Sequence, residues 1–180
     1  MNKRVFENPL ITYKVTLLQS SAETGGLYTL LEVELAVGGG NGLHAHTSFD
    51  EEFIPIEGVL GIQLEKKNLQ VQPGEKAIAP LGKWHRFYNP GDAPIRFQVK
   101  LHPSNAGFEK GLMIAYGLAD DGATNKKGVP KSFTHIALLT AMTDTILPGI
   151  YSLLQPLLRW KAKKAVEKGI DQVLIKKYCL

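Results

Sequence analysis

The sequence predicts a mainly β protein, an antiparallel sandwich or barrel carrying a helical C-terminal extension. Two observations predict it. Between about Tyr13 and His102 the chain is a run of short segments rich in Val, Ile, Leu, Phe and Tyr, divided by Gly and Pro. After Pro103 the apolar residues change to helical spacing, beginning with Phe108, Leu112, Ala115, Tyr116 and Ala119. Many short strands with no helices between them pack as an antiparallel architecture. The expected division is a β domain over 1–103 and a helical extension over 104–180 packed upon it.

Strands are expected at 13–19, 27–37, 52–57, 59–65, 75–79, 84–88 and 94–102. They are separated by turn clusters such as Gly25-Gly26, Gly38 to Gly42, Pro73-Gly74 and Asn89-Pro90-Gly91-Asp92. Leu31, Val33, Leu35 and Val37 alternate against Glu32 and Glu34, so one face is apolar and the other polar. Ile95, Phe97, Val99 and Leu101 likewise point inward, and Arg96, Lys100 and His102 form a solvated face. Ile54, Ile56, Ile62 and Leu64 are expected on the outer face of their strands. A patch of that size is rarely left bare, so a second subunit and the C-terminal helices are expected to cover it, as a homodimer.

Residues 121–131 read as an exposed loop, followed by helices at about 133–147, 149–168 and 170–178. The second of these places Ile150, Leu153, Leu154, Leu157, Leu158, Ala165 and Val166 on one side, the side expected to pack. Pro156 should kink or split it. Leu153, Leu154, Leu157, Leu158 and Trp160, with the lysines at 161–168, also resemble a membrane-surface helix. The reading retained is a packed helix with a solvated basic face and no membrane partner.

A chain of 180 residues can close a core without disulfides or a structural metal, and 44% apolar with 21% charged residues excludes a mainly disordered chain. Cys179 is the only cysteine, which excludes an internal disulfide and a cysteine-cluster zinc site; its place, second from the end, does not suit a prenylation box. The net charge of +4 is concentrated in residues 156–180, where seven basic residues face two acidic ones, so the remaining 155 residues sum to −1. A nucleic-acid-binding body is therefore not expected. Glu7, Asn8 and Pro9 interrupt any apolar stretch behind the basic start, and the uncharged run from Thr145 to Leu158 is 14 residues with two prolines. Neither an export segment nor a spanning helix is expected, and the expected location is cytoplasmic.

The residues that carry chemistry are His44, His46, Glu51 and His85. Two histidines two apart on a strand project from the same face. Glu51 follows a short connection, and His85 opens a later strand behind the turn Pro80-Leu81-Gly82. Three imidazoles and one carboxylate converging between strands suit a divalent metal with mixed nitrogen and oxygen donors. The bland alternative is a set of polar core residues that satisfy one another. Glu52 competes with Glu51 for the carboxylate role. The glycines from Gly38 to Gly42 lead into a strand and not a helix, which argues against a phosphate-cradling loop. Phe53 shares the face of Glu51 and Phe87 that of His85, so both are candidates for pocket lining or for plain core.

The segment Gly38-Gly-Gly-Asn-Gly-Leu-His44-Ala-His46-Thr-Ser-Phe-Asp-Glu51-Glu-Phe-Ile-Pro-Ile-Glu-Gly58 resembles the first cupin motif. Gly74-Glu-Lys-Ala-Ile-Ala-Pro80-Leu-Gly82-Lys-Trp-His85-Arg-Phe-Tyr-Asn89 resembles the second. The 15 residues between Gly58 and Gly74 suit a compact single-barrel cupin. The resemblance covers roughly residues 27–102 and implies an antiparallel cupin jelly-roll barrel. The motif's six-residue gap to Gly58 assigns the carboxylate to Glu51, and the motif implies one divalent ion (iron, manganese, nickel, cobalt or zinc) held by His44, His46, Glu51 and His85. No second carboxylate or arginine clamp is visible on the inward faces, as the family's decarboxylases would want, and the neutral body does not suit a sugar phosphate. The implied activity is dioxygenase-like, on a small oxygenated organic molecule and similar to the quercetinase-like branch. The other reading is a non-catalytic binding or sensing cupin. No catalytic residue beyond the ligands is assigned.

Overall fold

The structure is a computed structural model that describes residues 4–8 and 13–179. Met1 to Lys3 and Pro9, weighed above against an export segment, lie outside the described residues. In chain order the strands are β1 (Val5–Asn8), β2 (Tyr13–Gln19), β3 (Thr29–Leu35), β4 (Ala45–His46), β5 (Asp50–Glu57), β6 (Leu60–Leu64), β7 (Lys67–Val71), β8 (Ala77–Ala79), β9 (His85–Tyr88) and β10 (Ile95–His102). They are followed by α1 (Ala106–Asp120), α2 (Phe133–Met142), β11 (Thr145–Ile146), α3 (Ile150–Leu153), α4 (Gln155–Glu167) and α5 (Ile170–Tyr178).

Two antiparallel sheets make the β domain, one in the order β1-β2-β3-β10-β5-β8 and one in the order β7-β6-β9. The period-two pattern read from the sequence sets the register. Phe97 lies opposite Val33 on one side and Pro55 on the other, and Val99 lies between Leu31 and Phe53. These inward residues, with Leu35, Leu60, Ile62 and Leu101, form one continuous core. Gly58 turns the chain from β5 into β6 at φ +77, and a Cβ there would collide with the Ile95 side chain, so both backbone and space demand glycine.

Three strand-level expectations need correction. Ile62 and Leu64 face inward: Leu60 is fully buried, and the period of two carries residues 62 and 64 to the same face, opposite Phe87 and His85. Ile62 is only 1% exposed, so the outward apolar patch shrinks to Ile54 and Ile56, with Ile78 beside them on β8. Val37 leaves the apolar face because β3 ends at Leu35 and the following turn exposes it. The strands β1 and β7 were not anticipated; β7 is a polar edge strand on which Val71 is the buried residue.

Helix α1 starts where Asn105 Oδ1 accepts the Phe108 amide, an N-cap bond of 2.8 Å. It has two apolar faces. Phe108, Leu112 and Met113 lie on the β core, whereas Ile114 and Leu118 enter a second cluster with Ala137, Leu138, Leu158, Ala162, Ala165 and Leu174. The buried carboxylate of Glu109 pins the helix by accepting from the Ser21 amide and the Thr29 hydroxyl. The helices thus form a small bundle built outward from α1.

The expected helix 133–147 stops at Met142. Asp144 takes a left-handed φ of +47, and Thr145 and Ile146, both β-branched, leave as β11. The expected helix 149–168 divides at Leu154, with Pro156 in the first turn of α4, where its missing N–H costs nothing. Its packing face is also corrected. Leu158, Ala162 and Ala165 are buried against the neighbouring helices, but Ile150, Leu153, Leu157 and Val166 are 67%, 80%, 43% and 53% exposed. The β core is already capped by α1, so α4 finds its partners in α2 and α5 and leaves its other side bare. Among the described residues no helix is long and apolar enough to cross a membrane.

Candidate metal centre

His44, His46, Glu51 and His85 come together between the two sheets, with one potential ligand atom from each lying within 4.8 Å of all the others. Backbone pairing brings them there. The His44 and His85 amides each donate to the other's carbonyl, at 3.0 and 2.8 Å, and the Gly82 amide donates to His46 O at 2.7 Å. The glycine run lies flat along β9: Gly40 pairs with Tyr88, and a Cβ on Gly40 would sit 2.8 Å from Phe87 O. Gly39 and Gly40 serve this close backbone approach. Glu51 points inward from β5, whereas Glu52 points outward to Lys76 at 2.7 Å. The second-motif asparagine, Asn89, is a strut: its Nδ2 donates to the carbonyls of Leu35, Ala36 and Ala93, and its Oδ1 accepts the Gly91 amide.

Each imidazole is oriented through its Nδ1. His44 bonds Gly42 O at 2.8 Å, His85 bonds Lys83 O at 2.8 Å, and His46 bonds Thr143 O at 3.1 Å. A carbonyl only accepts, so each Nδ1 carries a proton, and each Nε2 is turned to the centre, where a neutral ring presents a lone pair. Carbonyl-held imidazoles of this kind are how proteins orient histidines toward a metal. Phe49 stacks on the His46 ring at 4.3 Å, and Phe108 meets it edge-on at 5.8 Å.

The fit to a cation is tested by what the donors lack. His46 Nε2 is buried with no hydrogen-bond partner, 3.7 Å from Glu51 Oε1. Such an atom is costly to bury unless something accepts its lone pair. His85 Nε2 lies 2.8 Å from Glu51 Oε2; with Nδ1 already donating to Lys83, this second bond requires an imidazolium. The ionisation pattern follows. Burial opposes charge on every member and dominates at His44, held down to about 4, and at His46, held below its usual value. Burial would raise Glu51, but the surrounding imidazoles hold it down to about 2. Burial also works against charge on His85, yet the bond and charge of Glu51 raise it above its usual value. Two neutral donors, one carboxylate and one proton replaceable by a cation make a set that fits a divalent ion.

The cavity beside this cluster measures about 90 Å³ and is lined by Val15, Leu31, Val33, Val99 and Phe87, with His44, Glu51 and Asn41 as its polar groups and Phe108 and Leu112 of α1 across it. Phe87 therefore lines the cavity. Phe53 does not: it is fully buried behind the site, against His85 and Phe87. Among the described residues, Glu51 is the sole lining carboxylate and no arginine or lysine lines the cavity. His102 is exposed at the end of β10, and Trp84 packs beside the β6–β7 turn, its amide donating to Glu65 Oε1.

Sequence reasoning missed the residues that complete the site from the extension. β11 pairs with β4, Thr145 opposite His46, which places Thr143 O on His46 Nδ1. Asp144 fastens this segment: its Oδ2 accepts from Ser48 Oγ at 2.6 Å and from Asn105 Nδ2 at 3.0 Å, and its carbonyl accepts the Thr47 amide. The available signal was the break in helical pattern at Thr143-Asp144-Thr145, where β-branched residues flank a residue that tolerates positive φ.

This architecture and donor set define a jelly-roll protein with a three-histidine, one-carboxylate site. The family described as Cupin domain matches residues 31–101, so that segment is similar to the cupin family. A comparison with curated proteins finds no match. Among solved structures the chain is similar to a cupin-2 domain protein of Rhodospirillum rubrum (19% identity, TM-score 0.46, covering 56% of this chain and 62% of that one). It is similar to a protein of Thermotoga maritima described as a predicted oxalate decarboxylase (20% identity, TM-score 0.48, 51% of this chain and 80% of that one). It is also similar to a cupin described as a sugar phosphate isomerase from Silicibacter pomeroyi (24% identity, TM-score 0.46, 57% of this chain and 70% of that one).

Proposed function

We propose that the protein binds one divalent metal ion through His44, His46, Glu51 and His85 and acts as a dioxygenase-like enzyme on a compact molecule that chelates through oxygen. The observation that carries this reading is the convergence of three carbonyl-oriented imidazoles and one carboxylate on an apolar-walled cavity. A bound divalent ion would supply Lewis acidity toward an enol or enolate oxygen. The chain's own residues do the rest. Val15, Leu31, Val33, Val99 and Phe87 exclude water and press a planar ligand toward the donors. Asn41, whose Oδ1 accepts the Phe87 amide at 2.8 Å, adds a polar side chain to the wall. Phe108 and Leu112 close the mouth from α1.

The cavity's size supports a small substrate. About 90 Å³ is well under the roughly 300 Å³ at which ordinary ligand pockets begin. A small enediol or dicarbonyl is accommodated far better than a flavonol, so within the dioxygenase-like reading the flavonol end of the range is disfavoured. The same small volume favours the second reading, a non-catalytic module in which the metal holds a ligand or the fold. Elemental analysis followed by oxygen-uptake assays separates the two, using protein loaded with iron, manganese, nickel, cobalt or zinc. Uptake with a small enediol supports the enzyme, and tight enediol binding without uptake for any metal supports the module. Refusal of every divalent ion at neutral pH refutes both.

A further inference from the structure

Among the described residues, no element covers an apolar stripe on the bundle. Ile150, Leu153, Leu157 and Trp160 are 67%, 80%, 43% and 56% exposed, and their spacing of three, four and three residues sets them along one side of α3 and α4. Tyr151 on α3 is 41% exposed. The opposite side of α4, with Leu158, Ala162 and Ala165, is the one buried in the bundle. The same steps of three and four continue the stripe from Leu157 through Lys161 and Lys164 to Lys168, while Lys163 and Arg159 add charge elsewhere on α4, Arg159 beside Asp144 and Gln155. From Ile150 to Lys168 these five basic residues face a single acid, Glu167. Among the described residues only Lys164 of the five has an ion-pair partner, Glu167 at 2.8 Å.

We propose that this face docks onto an anionic phospholipid surface, with Ile150, Leu153, Leu157 and Trp160 entering the headgroup boundary and the lysines of α4 meeting lipid phosphates and carboxylates. Charge complementarity selects this occupant. A second copy of the chain offers the same cations and not their complement, and residues 1–155 sum to only −1. An anionic bilayer supplies an apolar layer under a negative one, the order in which the stripe and its cations are arranged. Leu and Ile give the buried area, the amphipathic rings of Trp160 and Tyr151 suit the interface, and lysine stems reach from an apolar zone to charged headgroups. None of the four donors lies on α3 or α4, so zinc uptake reads the metal site separately from this face.

The test uses the full chain with Trp84→Phe, which leaves Trp160 as the sole tryptophan. It is mixed at low salt with vesicles of phosphatidylcholine, with or without phosphatidylserine. Co-sedimentation and a blue shift of Trp160 emission are expected only with phosphatidylserine, and both should weaken as salt shortens the range of charge attraction. Leu153→Ser with Leu157→Ser should abolish binding while circular dichroism and zinc uptake stay unchanged. The triple variant Lys161→Gln, Lys164→Gln, Lys168→Gln should weaken it about a hundredfold, at about 1 kcal/mol per basic residue near the surface. Absence of binding to anionic vesicles at low salt overturns the proposal. So does equal binding by the serine variant, or light scattering in which that variant dissociates an oligomer while neither protein binds lipid, which would make the stripe a self-contact.

Discussion

Zinc titrated into the metal-free protein at pH 6 should displace about one proton per ion. Three ordinary histidines, with pKa near 6.5, would each be about three-quarters protonated at that pH and would release about 2.3 protons together. The site departs from this in both directions. His44, held down to about 4 by burial, is about 1% protonated at pH 6 and releases nothing. His46, also held down by burial, releases less than its ordinary share. His85 is opposed by burial but raised by its bond to Glu51, so it carries its proton and must give it up. Glu51, at about 2, is already ionised. Calorimetry in two buffers of different ionisation enthalpy reads the proton count directly. A release of two or more would mean that the histidines titrate as separate exposed groups. A release near zero would mean that the His85–Glu51 ion pair does not exist in the metal-free protein.

The clamp from the extension gives a second prediction. Asp144→Ala removes the acceptor for Ser48 and Asn105, frees Thr143 O from His46, and should lower zinc affinity by about 10- to 100-fold. Asp144→Asn, which keeps an acceptor oxygen and tolerates positive φ, should bind nearly as the parent; equal affinity for the alanine variant in a chelator competition refutes the clamp. The metal-free protein should lose stability as pH falls from about 6.5 toward 4. Over that range the unfolded chain protonates His44 and His46 and the folded chain resists, while the contribution from the raised His85 is already complete below 6.5. A flat melting temperature between pH 7 and 5 would contradict this. Leu158→Ala empties the centre of the helical cluster, where Leu158 is 1% exposed, and should cost about 2–5 kcal/mol in urea unfolding. A loss below about 1 kcal/mol would show that the bundle collapses onto the gap or adds little to stability.

Much of the β domain was legible because its rule is local. Alternation with period two shows in Leu31-Glu32-Val33-Glu34-Leu35 and from Ile95 to Leu101 without knowledge of partners. The same rule misplaced Ile62 and Leu64, because a strand apolar at every second residue does not say which sheet it faces until Leu60 and Phe87 set its phase. The ligand set was legible because the two motifs hold His44, His46, Glu51 and His85 at characteristic spacing. Phe53 was ambiguous because sharing a face with Glu51 does not say how deep a ring sits.

By itself the sequence determined the strand-rich body, the four donors, the glycines at the tight turns and the split before Pro156. These depend on side-chain type and on backbone preferences over a few residues. Only the tertiary structure decided that Thr143 O orients His46 across 97 residues of chain, that α1 roofs a cavity of about 90 Å³, and that α4 buries Leu158, Ala162 and Ala165 while leaving Leu153 and Trp160 bare. The physical reason is the same in each case. An apolar residue or a carbonyl has no preferred partner until long-range packing brings one within reach, and α1, by covering the mouth of the β domain, leaves the later helices its outer face and one another to pack against.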